Sequence, residues 1–368
     1  MSDLPPELVE EAKRLIYHRR GLMQKIGLDI GTKNIVLAYR DTAGTIKYKK
    51  EVNGFFKIEQ TDGFARRMLE GQGVPFFQSA DGKYLIALGE KAENIAYTFG
   101  HHLRRPMSDG VLSAHEPEAM SIMAVIIRSL IGDISEDAVL YYCIPGEPYN
   151  ATLNVGYHQK IMEAIIHNHK TEKGALVLAH PINEARAIVL SSIPDHTGIG
   201  ISFGAGMVNV SYCLYGLPVY EFSIVGSGDW IDNEAGRVTS NIERGDDGRD
   251  HAKVLVTKAK EKLNLGAGVP FDNLDRAIYI NYELLIERVA KGIIEGFKKN
   301  EQKARAPSPM PIVCAGGTSS PEGFIELFKS VFSKQGMPFE IGEITRAPKP
   351  LFAVAAGCLV AATMHEAK

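Results

Sequence analysis

The sequence predicts an α/β protein in which one folding unit is used twice and each copy carries a smaller insertion. Three observations predict this. An apolar run, a glycine-bearing tip and a second apolar run occur at residues 26–38 and again at 198–212. Each of these hairpins is followed by a third strand and then by helices, so the same order opens at Gly27 and at Gly200. Elsewhere, segments of helical period alternate with short, fully apolar strand segments, the pattern of a layered α/β fold.

The bulk composition sets the bounds. At 368 residues the chain is long enough for about two domains. Apolar residues make up 45% and charged residues 23%, ordinary globular usage. A net charge of −3 supplies no field for nucleic acid, so no nucleic-acid partner is expected. No apolar run approaches the roughly 20 residues of a membrane helix. The N-terminus lacks a signal-peptide core, and the expected location is cytoplasmic. Cys143, Cys213, Cys314 and Cys358 fit no zinc spacing and are expected as buried, reduced thiols.

Residues 4–20 read as a helix with Leu8, Ala12, Leu15 and Ile16 on one face and Lys13, Arg14, Arg19 and Arg20 toward its end. It could lie on a membrane surface, although Glu7, Glu10 and Glu11 oppose anionic lipid, or pack on the body or on a partner. The hairpin at 26–38 leads to a strand at 46–52. Residues 53–100 are turn-rich, with a strand at 84–88, and read as an inserted subdomain. Helices are expected at 116–131, 157–169 and 184–192, with strands at 139–144 and 175–179. After the second hairpin come a strand at 217–225 and helices at 229–238, 250–263 and 282–299. A polar link at 300–309 precedes a strand at 311–315, which runs into the Gly316-Gly317 turn. Helices at 321–332 and 350–363 close the chain.

The first hairpin carries the clearest chemistry. Gly31 lets the tip turn its amides toward an anion, and Thr32, Lys33 and Asn34 add donors and charge. Asp29 is placed to hold the hydrated metal ion that accompanies a nucleotide phosphate. Gly316-Gly317 lets the backbone lie flat against a ligand. Each feature also has a plain structural reading: an ordinary hairpin, and a strand-to-helix turn. His101, His102, His167 and His169 show no metal-ligand spacing and read as surface histidines.

These motifs together resemble the actin, sugar-kinase and heat-shock-chaperone ATPase superfamily, and most of all the bacterial actins of the MreB and MamK type. The resemblance rests on Leu28 to Thr32, Arg105 to Val111, Pro181 to Ala187, Gly204 to Gly206, Gly226 to Asp229, residues 257–263, Cys314 to Thr318 and residues 353–362. It implies duplicated ribonuclease-H-like domains around a nucleotide cleft. The first large subdomain (IA) would comprise 22–52, 101–183 and 350–368, after an N-terminal extension at 1–21. Its insertion (IB) would be 53–100. The second large subdomain (IIA) would be 184–228 and 309–349, with 229–308 as its insertion (IIB).

The resemblance also implies roles. Gly31, Thr32, Lys33 and Asn34, facing Ser202, Gly204, Ala205, Gly206 and Met207, would clamp the phosphates of ATP or ADP. Asp29 would hold Mg²⁺ through water, and Glu184, unless it is simply a solvated helix-start residue, would orient or deprotonate the attacking water. Gly228, Asp229, Thr257, Lys260, Gly316, Gly317 and Thr318 would hold the nucleoside side. Three positions depart from the family pattern: Ser202 stands where an aspartate is usual, Met207 where MreB has threonine, and Thr257 where a ribose-binding glutamate is expected. They imply retained nucleotide binding with slow hydrolysis.

The function implied is a nucleotide-dependent cytoskeletal filament formed by head-to-tail self-association. A non-polymerising adaptor is the alternative, favoured modestly by Ser202 and Met207. A small-molecule kinase would need an acceptor-side aspartate and a longer chain, and a chaperone would need a peptide-binding domain after Lys368.

Overall fold

The protein is described here as a computed structural model covering residues 23–60, 63–79, 81–98, 103–169, 177–245, 248–300 and 309–365. The expected N-terminal helix and the His101-His102 pair lie outside these residues.

The chain opens with β1 (Met23–Ile30), β2 (Asn34–Arg40) and β3 (Ile46–Val52), an antiparallel meander. The insertion follows: β4 (Phe55–Glu59), helix Phe64–Gly71, β5 (Phe76–Gln78), β6 (Tyr84–Leu88) and helix Gly89–Thr98, with sheet order β4-β6-β5. It has its own small core of Phe56, Leu69, Leu85 and Ala87. A two-residue hairpin, β7 (Met107–Ser108) and β8 (Val111–Leu112), turns at Asp109 and Gly110, both at positive φ, as a type I′ turn requires. Helix Ala119–Ile131, β9 (Ile134–Ile144), helix Val155–His167 and β10 (Leu178–Asn183) complete the first half.

The second half begins with helix Glu184–Ser192 and a second meander, β11 (Gly198–Phe203), β12 (Met207–Leu214) and β13 (Leu217–Val225). Next come helix Gly228–Val238, the hairpin β14 (Ile242–Arg244) and β15 (Asp250–Ala252), helix Val254–Lys262 and the long helix Asn273–Lys299. Then follow β16 (Met310–Ala315), helix Phe324–Phe332, β17 (Ile341–Arg346) and helix Ala353–Met364.

The duplication is explicit in the sheets. One has the order β3-β2-β1-β9-β10 and the other β13-β12-β11-β16-β17. In each, three antiparallel strands are followed by two parallel ones. The central strands are covered on both faces, which is why they read as unbroken apolar runs. Ile35 and Leu37 face the core that includes Ile122 and Ile126, whereas Val36 and Ala38 pack on Ala355 and Leu359. In the second sheet Ile201, Phe203 and Val210 share a core with Tyr282, Phe324 and Phe328.

Two helices cross between the halves. Helix Glu184–Ser192 follows the first sheet but packs on β11 and β12, and helix Ala353–Met364 follows the second sheet but packs on β1 and β9. Both approach so closely that only glycine fits beneath them. A Cβ on Gly27 would overlap the Ala355 carbonyl, and one on Gly200 would overlap the Ala185 carbonyl. The equivalence of Gly27 and Gly200 is thus the mark of a repeated helix-on-strand contact.

Several boundaries differ from the sequence reading. Residues 250–263 are not one helix: Asp250 to Ala252 pair with Ile242 to Arg244, and the helix starts only at Val254. The strand expected to end at 179 runs on as β10 to Asn183, because Pro181, Ile182 and Asn183 pair with Tyr142, Cys143 and Ile144. The Asn183 side chain then caps the helix by accepting from the Ala185 amide at 2.8 Å. Strand β17 went unread: it is a half-exposed edge strand with no apolar run.

Candidate functional site

The hairpin tips of the two meanders are built alike. The Gly31 amide donates to the Asn34 carbonyl at 3.1 Å, and the Gly204 amide donates to the Met207 carbonyl at 3.0 Å. Each tip spans four residues, between the pairs Ile30–Ile35 and Phe203–Val208. This makes Asp29 and Ser202 equivalent positions. The tips meet: a Cβ on Gly206 would come within 2.9 Å of the Thr32 hydroxyl and 2.6 Å of the Gly110 amide. Met207 is buried under the Asp109-Gly110 turn.

Between the tips lies a cavity of about 1330 Å³. All the residues singled out in the sequence line it: Asp29, Gly31, Thr32, Lys33, Asn34, Glu184, Ser202, Gly204, Ala205, Gly206, Met207, Gly228, Asp229, Thr257, Lys260, Gly316, Gly317 and Thr318. Among the described residues, the amides of Thr32, Lys33, Ala205 and Gly206 have no protein acceptor. Four unpaired N–H groups on two facing tips make a site for an anion.

Behind the tips sits a carboxyl pair. Ser202 Oγ donates to Glu184 Oε2 at 3.0 Å, and the Cys143 thiol donates to Asp29 Oδ1 at 3.2 Å. Burial raises the Asp29 pKa above the usual carboxylate range, with the Cys143 hydrogen bond opposing this in part. Burial, then repulsion by Asp29, raises that of Glu184. No cluster of three metal-ligating side chains occurs among the described residues. Asp29 is the residue of this pair that could hold a cation through the ion's water shell, as Mg²⁺ prefers.

The sign of the pH dependence follows. Both carboxyls hold protons more tightly in the folded chain than in the unfolded one. The stability they contribute is full below the unfolded value near pH 4 and is lost as pH rises toward neutrality and through the raised folded values. The nucleotide-free protein should thus show a urea midpoint that falls with pH over this window. The slope is at most about 1.4 kcal/mol per pH unit for each retained proton. Glu184→Gln should flatten it.

The cavity wall around Gly228 and Thr257 is held by a buried ionic group that spacing did not reveal. Lys260, 8% exposed, contacts Asp232 Oδ2 at 2.8 Å and donates to the Gly228 carbonyl at 2.7 Å. Thr257 does not face the cavity freely: its hydroxyl donates to Asp232 Oδ2 at 2.9 Å. Thr318 Oγ1 donates to the Gly204 carbonyl at 2.6 Å, tying this region to the second tip. Gly316 is at φ 91°, where a Cβ would overlap Phe203, whereas Gly317 has open space beside it.

Ion pairs cross the cleft. Arg105 Nη1 contacts Asp229 Oδ2 at 2.7 Å, and Lys33 Nζ contacts Glu261 Oε1 at 3.3 Å. For Asp229, burial acts to raise the pKa, but Arg105 and Lys260 outweigh it and hold the carboxyl below its ordinary value. Arg105, Asp232 and Glu261 were missed by sequence reading. For Asp232 a local signal existed: Asp229 and Asp232 stand three apart on one helix, hence on one face.

The duplicated sheets, the swapped helices and the cleft between matched tips define an actin-like two-domain protein. Solved structures bear this out. The chain is similar to MamK in a double helical filament (16% identity, TM-score 0.63, covering 93% of this chain and 99% of that one). It is likewise similar to MreB5 of Spiroplasma citri bound to ADP (16%, 0.57, 90% and 94%). A third likeness is to Ta0583, an archaeal actin homolog (16%, 0.55, 93% and 100%). At this identity the likeness is one of fold. The chain belongs to the Volactin family, whose model matches residues 23–362. A search of curated proteins gave no match.

Proposed function

We propose that this protein binds ATP or ADP with Mg²⁺ in the cleft, hydrolyses ATP slowly and assembles with copies of itself into nucleotide-dependent filaments. The observation that carries the proposal is the pair of matched tips, whose four residues with unpaired amides line one cavity. A polyphosphate laid between them would be gripped by both halves at once, fixing their relative tilt. The fold neighbours support the rest: MamK in a filament and MreB5 with ADP.

In this reading the backbone amides of Thr32, Lys33, Ala205 and Gly206 hold the phosphates, with Lys33 adding charge. Asp29 would hold the water shell of Mg²⁺, which would neutralise charge on the phosphates. Glu184 accepts a proton from the attacking water, and the Ser202 hydroxyl fixes its carboxylate. Ser202 adds no negative charge beside Asp29, so the metal is held more weakly than by two carboxylates. Losses of this kind are typically about 10–100-fold, which favours slow turnover. Lys260, Thr257, Asp229, Gly228, Gly316, Gly317 and Thr318 form the nucleoside side. The reading assigns subdomains IA, IB, IIA and IIB the boundaries expected from the sequence and places the protein in the cytoplasm. No helix among the described residues is long and apolar enough to cross a membrane.

The test is pelleting with negative-stain microscopy in Mg-ATP, Mg-ADP and no nucleotide, with phosphate release followed in the same samples. Polymer in ATP with slow phosphate release is expected. A monomer that binds ATP tightly would instead favour the adaptor reading, for which Ser202 speaks.

A further inference from the structure

Two exposed apolar features lie at opposite ends of the second half. The first is the turn between β12 and β13, where Tyr215 is 80% and Leu217 67% exposed. Tyr215 is at φ 50° and Gly216 at φ 76°. An aromatic residue in the left-handed region is disfavoured, and asparagine or glycine is the usual choice in such a turn. The turn is nevertheless rigid. Thr197 Oγ1 accepts from the Tyr215 amide at 3.0 Å, His196 O accepts from the Gly216 amide at 2.8 Å, and Arg186 Nε donates to Gly216 O at 2.9 Å. The result is a preformed knob that loses little entropy on binding.

The second is a groove of about 530 Å³ lined by Ala259, Leu263, Ala267, Val269, Pro270 and Phe271. Phe271 is 96% and Val269 60% exposed. This loop is also fixed: Arg276 donates to the Pro270 carbonyl at 3.0 Å and to the Phe271 carbonyl at 2.7 Å. The groove is roomy enough for two large side chains.

The long helix separates the two features. Phe271 precedes its first residue, Asn273, and near its other end Phe297 stacks on Tyr212 with centroids 5.1 Å apart. Tyr212 lies three residues before Tyr215. A helix of 27 residues is roughly 40 Å long. Knob and groove therefore sit at two ends of one body and cannot meet within one chain. One oppositely charged pair is available across such a contact: exposed Asp195 stands beside the knob, and exposed Lys262 lines the groove, which Asp275 also lines.

We propose that the occupant of the groove is a second copy of this chain, whose Tyr215–Leu217 turn docks against Val269 and Phe271. Such a contact is heterologous and does not close on itself, so it propagates as an open filament. Tyr215 and Phe271 form its centre, and Asp195 and Lys262 its charged rim. This inference rests on the filament reading and names the surface that would build it.

The test uses the full chain with Mg-ATP and two variants, Tyr215→Asp and Phe271→Asp. Both positions are exposed, so folding and nucleotide binding should persist. Each variant alone should raise the critical concentration for pelleting at least about 30-fold. Mixed, the two should form one-to-one dimers by analytical ultracentrifugation. The Phe271→Asp chain still has its knob and the Tyr215→Asp chain its groove, while the other two ends are blocked. Asp195→Lys or Lys262→Asp alone should weaken assembly a few-fold, and the double exchange should restore it.

A mixture that stays monomeric, or a Phe271→Asp chain that pellets like wild type, overturns this contact and leaves the filament reading standing. A wild-type chain that binds ATP yet never pellets overturns both. If wild type floats with phosphatidylglycerol vesicles and Phe271→Asp does not, while both pellet alike, the loop is a membrane anchor and the contact is refuted.

Discussion

Glu184→Gln should lower the rate of phosphate release about 100-fold or more while changing ATP affinity by no more than a few-fold. General-base assistance is typically worth 10²–10⁴-fold. Glutamine keeps an oxygen that can accept from Ser202 and fills the same space, so the cavity wall stays intact; what it loses is the ability to take a proton. Glu184 is well placed for that role. Ser202 donates to Oε2, and the Asn209 side chain also stands close enough to steady the carboxylate. Its raised pKa makes it a better base once ionised, at the expense of the ionised fraction near neutrality. Turnover should therefore climb with pH through the raised value, and the Gln variant should lose that climb. Single-turnover phosphate release from pH 6 to 9, with affinity measured by a fluorescent nucleotide, separates the two effects. Equal release by both chains would remove Glu184 from the chemistry.

The parts of this site that sequence could show are those built locally. Each hairpin tip is made by consecutive residues, and a glycine flanked by apolar runs announces it. Gly31 and Gly204 close their turns onto residues only three further along. The duplication was legible for the same reason, because both copies repeat a local order. What stayed hidden depends on the third dimension. Arg105 finds Asp229 across 124 positions, and Lys33 finds Glu261 across 228. No periodicity encodes such a pair. Thr257 was placed on the nucleoside side by its place in a motif, which says nothing of Asp232, the partner its hydroxyl finds. Strand β17 and the β14–β15 hairpin were missed because edge strands bury too little to need an apolar pattern, and their pairing comes from neighbours.

The same distinction separates the glycines. Gly31 and Gly204 serve the turns in which they sit, and a sequence reader can find them. Gly357 serves a contact with a residue 170 positions earlier, and nothing around it in helix Ala353–Met364 marks it. There a Cβ would overlap the carbonyl oxygen of Ala187 in helix Glu184–Ser192. The two swapped helices touch backbone to backbone at this point, which is where the two halves are joined.

Gly357→Ala should for this reason destabilise the protein, by about 3 kcal/mol, although alanine is the better helix former. Propensity favours the change by roughly 0.5–1 kcal/mol. Overpacking opposes it by about 1–3 kcal/mol where side chains can yield, and by more where, as here, the obstacle is backbone. The overlap wins because neither helix can retreat. Helix Ala353–Met364 is pinned on Gly27 and helix Glu184–Ser192 on Gly200, each again without room for a Cβ. Gly156, in helix Val155–His167 with nothing near its missing Cβ, is the control, and Gly156→Ala should be neutral or slightly stabilising. Urea denaturation of the three chains measures this directly. A second readout tests the coupling of the joint to the cleft. Glu184 opens one of the two helices, so a shift at the Gly357 crossing tilts the carboxylate away from Ser202. Gly357→Ala should then also slow phosphate release at temperatures where the chain remains folded. An alanine chain as stable as wild type would mean that the helices slide past one another freely, and that the two halves are not locked at this crossing.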